Sequence, residues 1–124
     1  FDGKYGLSFT QSTAAGENDG TGQVTVVGTS KSIAGVVDTN LGSSPQPNTP
    51  ITGSFGTIPS SGRFSGKLTN TFFPSFGSTP HTIAIRVYLI DSNHGLFIET
   101  DSLTTAELSL GYVEIRTPVC ASCP

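Results

Sequence analysis

The chain has 124 residues, a net charge of −3 and only 12% charged residues, so it lacks the Lys/Arg stripe that binding along a phosphate backbone requires. One chain of this length buries roughly two-thirds of the surface it would expose unfolded, enough for one core and not for two. Gly supplies 15 residues, Ser and Thr are abundant, and Met and Trp are absent, a composition that favours strands and turns over helices.

Taken in chain order, alternating apolar residues bounded by Gly, Asn, Asp and Pro predict eight strands, near 3–11, 22–29, 32–39, 50–58, 62–73, 81–91, 95–102 and 106–117. ENDGTG at 17–22, TSKS at 29–32, PSSG at 59–62 and SNHG at 92–95 supply turn chemistry. GSSPQPNTP at 42–50 reads as extended and irregular, because its three prolines remove ladder donors. Short connections favour antiparallel neighbours, and eight such strands close into an up-and-down β-barrel without exposed edges. A two-sheet β-sandwich is the alternative. Residues 1–117 are expected to form this single domain and 118–124 a Cys-x-x-Cys tail.

The sequence starts at Phe1 with neither an initiator Met nor a basic-then-apolar leader, which is expected of a mature, exported product. Its longest apolar run, TIAIRVYLI at 82–90, contains Arg86 and falls short of the ~18 residues of a membrane span. Neither a nucleic-acid partner nor a membrane span is expected, and no cofactor is implied.

The segment VYLIDSNHGLFIETD at 87–101 crowds Ser92, His94 and three carboxylates together. A four-residue SNHG loop with Gly95 at positive φ would set Asp91 opposite Leu96, Ile90 opposite Phe97, Tyr88 opposite Glu99 and Arg86 opposite Asp101. Ser92 and His94 then sit together on a turn tip, whereas a Ser-His-Asp site needs groups converging from separated segments. Glu99 and Asp101 would lie ~7 Å apart along one strand, a glycosidase-like separation but on one side only. His81 has no second ligand at metal-binding spacing. Glu17, Asn18 and Asp19 lack the alternation and distant carboxylate of a calcium loop. No catalytic residue and no metal site is therefore expected.

The tail places Cys120 and Cys123 in Cys-x-x-Cys, read as a local disulfide, which in so short a loop contributes roughly 2 kcal/mol. FFPSFGSTP at 72–80 leaves Phe73 and Phe76 to plug the barrel mouth or to form a contact site. On the central hairpin Ile83, Ile85, Val87 and Leu89 are expected inside, yet Ala84, Tyr88, Ile90 and Phe97 on the opposite face are apolar too. The last strand repeats the ambiguity, with Leu108, Leu110 and Tyr112 on one face and Val113 and Ile115 on the other. An outer wall meets water, so a contiguous apolar patch there implies contact with another subunit or domain.

GRFSGKLTNTFF followed by VYLIDSNHGLFIETDS resembles a segment of exported, Gly/Ser/Thr-rich β-domains found in tandem in large bacterial surface proteins. This resemblance implies an extracellular β-barrel module and carries over no catalytic residue. The opening DGKYGLSF is similar to the first strand of lipocalins and avidins, with Gly3 and Tyr5 at matching positions and Tyr where that pattern has Trp.

The expected function is that of a non-enzymatic extracellular structural or adhesive module that binds copies of itself or neighbouring domains, as the subunit of a surface fibre would. The self-association interface is expected at Ala84, Tyr88, Ile90, Phe97, Phe73 and Phe76. The alternative is a calycin-like carrier with a small apolar ligand in a pocket lined by Tyr5, Phe9, Phe55 and Phe64.

Overall fold

The structure, a computed structural model, describes residues 1–13, 16–41, 43–70, 81–91, 93–101 and 112–116. It is all-β. Seven successive strands, β1 (Gly3–Thr13), β2 (Gly16–Val27), β3 (Ser32–Leu41), β4 (Ser44–Phe55), β5 (Arg63–Asn70), β6 (His81–Leu89) and β7 (His94–Glu99), run up and down, each antiparallel to the next. They form one curled sheet round one core, not two stacked sheets. The backbone of β8 (Tyr112–Arg116) pairs with β7 from His94 to Ile98, and meets β1 at Gly6, Phe9 and Thr10.

Strict alternation builds the core. Tyr5, Leu7 and Phe9 on β1, Val24 and Val26 on β2, Ile33 and Val37 on β3, Ile51 and Phe55 on β4, Phe64 and Leu68 on β5, and Ile83, Ile85 and Val87 on β6 all point inward and are buried. The sheet coils so tightly that some inward positions admit no side chain. A Cβ at Gly35 would lie 2.7 Å from the Val24 Cα and closer still to the Gln23 carbonyl oxygen, so neighbouring backbone occupies that space.

Two segments differ from their sequence reading. ENDGTG is strand, not turn: β2 begins at Gly16, and Glu17 to Gly22 pair in register with β1 from Ser12 back to Leu7. The proline-rich stretch is also strand, forming the first half of β4 opposite β3. It keeps pairing because a bulge relieves it. Val37 faces Thr49 and Thr39 faces Gln46, so Asp38 alone opposes Pro47 and Asn48. Asn48 takes a left-handed φ of 55°, and its amide donates to Asp38 Oδ1 at 2.7 Å.

Replacing Gly35 by Ala forces β2 and β3 apart and is expected to destabilise the fold by about 1–3 kcal/mol. At Gly56 the nearest atom to an added Cβ is the Ser65 carbonyl oxygen at 3.6 Å, so Gly56→Ala should leave stability within about 0.5 kcal/mol. Urea denaturation of the two variants checks the difference.

Candidate functional site

Three places on the described molecule gather enough chemistry to act: the β6–β7 hairpin tip, the interior, and the outer wall.

At the tip, Asp91 organises the loop. Its Oδ1 accepts from the Asn93 amide at 2.6 Å and the His94 amide at 2.8 Å, and His94 Nδ1 lies 2.8 Å from Oδ2. The His94 carbonyl accepts from the Ile90 amide at 2.9 Å, and Tyr88 meets Leu96 where a four-residue SNHG loop would set Glu99, a register shift of three residues. Gly95 is therefore a buried strand residue opposite Leu89, not a positive-φ turn residue. Leu96 falls opposite Tyr88, Phe97 opposite Val87 and Ile98 opposite Arg86.

This register reverses the expected parity of β7. Phe97, expected on the outer wall, is buried in the core at 6% exposure, while Leu96 and Ile98 stand outside. The cause is the Asp91 carboxylate, an Asx-type turn that shortens the loop. Asp91 and His94 are both exposed. Bonds to the His94 ring and to the Asn93 amide hold the Asp91 carboxyl below its ordinary range. Such a pair is a loop clasp; Ser92 lies outside the described residues.

The carboxylates Glu99 and Asp101 have separate places in the ladder. Asp101 Oδ2 accepts from the Ala84 amide at 2.7 Å, extending the β6–β7 ladder, and Glu99 sits in β7 opposite Ile85. Arg86 therefore faces Ile98, not Asp101. Strand alternation also separates Glu17 and Asp19, both exposed, from Asn18, which is fully buried. His81 begins β6 opposite Asn70. Among the described residues no three His, Cys, Asp or Glu side chains stand close enough to hold a metal ion. Cys120, Cys123, Phe73 and Phe76 lie outside the described residues.

Among the described residues the interior is closely packed. Tyr5, Phe9, Phe55 and Phe64, expected to line a pocket, are core residues at 3–8% exposure. Phe1 folds over one end of the sheet, its ring 5.1 Å from Tyr5, 5.3 Å from Phe55 and 5.6 Å from Phe64. Asp2 fastens that cap, since its Oδ1 accepts from the Gly28 amide at 2.6 Å and its carbonyl from the Tyr5 hydroxyl at 3.2 Å. The space left among Phe1, Leu7, Val24, Leu68, Ile85 and Phe97 is about 20 Å³, room for about one water molecule and far less than a ligand pocket of roughly 300 Å³ or more.

The opposite end is polar: Asn18, Thr39, Thr49 and Asn70 are buried there, with Asn70 Nδ2 donating to the Pro50 carbonyl at 2.9 Å. Sequence reading missed this layer because Asn18 was placed in a turn. The one available signal was its parity with Gly20, Gly22 and Val24.

Outside, a depression of about 440 Å³ crosses β1–β3 between the rows Ser8–Thr21–Asp38 and Thr10–Asp19–Asn40. It is open, and Asp19 and Asp38 make it acidic. A second feature is apolar: Tyr88, Ile90, Leu96 and Ile98 on β6–β7 are 41%, 66%, 40% and 42% exposed. Tyr88 and Ile90 stand outside as expected, with Ala84 partly exposed beside them. Arg63 covers Tyr88, its guanidinium carbon 5.7 Å from the ring centre and Nε donating to the hydroxyl at 3.3 Å.

Asp91 ionises more easily folded than unfolded, so its contribution is present above the unfolded value of 3.8 and is lost as pH falls through the lower folded one. Its carboxyl resonance should titrate with a midpoint below 3.8, and His94→Ala should bring that midpoint closer to the ordinary value. Titration with a lipophilic fluorescent dye should show no saturable interior site in the monomer. No family model, curated protein or solved structure matches the chain.

Proposed function

We propose that this chain is a non-enzymatic structural or adhesive module, an eight-stranded up-and-down barrel that associates with copies of itself outside the cell, as the subunit of a surface fibre or polymer does. The observation that carries this reading is the outward apolar stripe Tyr88, Ile90, Leu96 and Ile98. Tyr88 faces Leu96 across the ladder, so the stripe is continuous over two strands. Solvated apolar groups contiguous across a sheet are the mark of an unfilled contact, whereas scattered single ones are ordinary surface.

The close packing among the described core residues supports the same reading, because it directs recognition to the outer wall, ends and loops. Barrel closure is supported by β8, which has partners in both β7 and β1. The extracellular setting rests on the Gly/Ser/Thr-rich, weakly charged composition and on the resemblance to exported β-domains.

Burying a half-exposed apolar side chain contributes of order 1–1.5 kcal/mol. The double variant Tyr88→Glu/Ile98→Glu should therefore weaken association by roughly 30- to 100-fold or more. Sedimentation velocity over a concentration series measures this. A wild-type chain that stays monomeric at millimolar concentration would refute the proposal.

A further inference from the structure

Among the described residues, the exposed large apolar side chains fall on two seams. Val27 and Val36 stand singly on β2 and β3, opposite Ser32 and Gln23; Tyr88, Ile90, Leu96 and Ile98 stand together on β6–β7 and its loop. In the strand order β1 to β8 these seams are four strands apart in either direction. On an eight-stranded barrel they face opposite ways.

The charges beside the two seams are opposite in sign. β2 and β3 carry Glu17, Asp19 and Asp38, all exposed, with Asp38 Oδ1 accepting from the Asn48 amide, and no Lys or Arg. β5 and β6 carry Arg63, Lys67 and Arg86, and no Asp or Glu. Lys4 on β1 and Lys31 in the β2–β3 turn border the acidic wall. Glu99, Asp101 and the Asp91–His94 clasp border the basic one, with Asp101 committed to the Ala84 amide.

We infer that copies of this chain join head to tail, the β5–β7 wall of one copy seated on the β2–β3 wall of the next. Tyr88, Leu96 and Ile98 meet Val36, while Arg63, Lys67 and Arg86 face Asp19 and Asp38 of the neighbour. The inference rests on the proposed self-association and supplies its geometry. Two copies meeting through the same wall would set cations against cations or acids against acids, which costs affinity. A contact between two different, opposed walls leaves one of each free, so it adds copies without closing and grows as an open filament.

The test uses two exposed-surface variants of the full chain: Asp19→Lys/Val36→Lys on the acidic wall and Tyr88→Glu/Ile98→Glu on the basic wall. Each alone should sediment as a folded monomer. Mixed in equal amounts they should associate, because each retains the wall the other has lost, and that recovery also proves that both are folded. Thr21→Lys/Gln23→Lys is the second acidic-wall variant should the first lose its β-sheet circular dichroism. Wild-type assembly combined with undiminished assembly of the acidic-wall variants would overturn the head-to-tail geometry alone. So would a mixture that stays monomeric. A monomeric wild-type chain would instead overturn the self-association beneath it.

Discussion

Alternate residues of every strand from β1 to β7 have to share one narrow interior, and this restriction governs where each other part of the chain can go. It sets which positions are apolar, and it explains why Gly35 has no side chain at an inward site where adjacent backbone already lies. It also gives Phe1 its place: with the inward positions packed, the aromatic end formed by Tyr5, Phe55 and Phe64 still needs a lid, and the ring of Phe1 supplies it. A sheet this tightly coiled is specified by volume as much as by hydrogen bonding.

The all-β class and seven strand positions were legible because period-2 alternation is a strong signal where one face is buried. β5 and β6 were read most easily, since Phe64 and Leu68, then Ile83, Ile85 and Val87, repeat at two-residue spacing between turn residues. β2 was cut short because its inward positions at the start are Asn18, Gly20 and Gly22, which look like a turn and carry no apolar signal. The first half of β4 was hidden by its prolines, whose effect depends on a bulge at Asp38 that no local rule announces.

The hairpin shows a different kind of failure. Its existence was evident from the turn residues, but its register depended on whether Asp91 belonged to the strand or to the loop. A single carboxylate capturing two amides decided that question, and the faces of Leu96, Phe97 and Ile98 all followed. Half of the apolar wall was thus visible in the sequence, through Tyr88 and Ile90; the other half, Leu96 and Ile98, required the observed pairing. The acidic character of β2–β3 was obscured for a related reason, because Glu17 and Asp19 read as loop chemistry until both proved to be outward strand residues.

The scarcity of internal space has a mechanical meaning. Pressure unfolds proteins largely by eliminating voids that the native packing leaves behind, and the volume released scales with those voids. Among the described core residues, the gap of about 20 Å³ beside Phe1 and Phe97 offers little for compression to exploit. Such a unit is stiff against hydrostatic load, so strain applied to a chain of them would concentrate at the junctions between units, leaving their cores nearly unchanged.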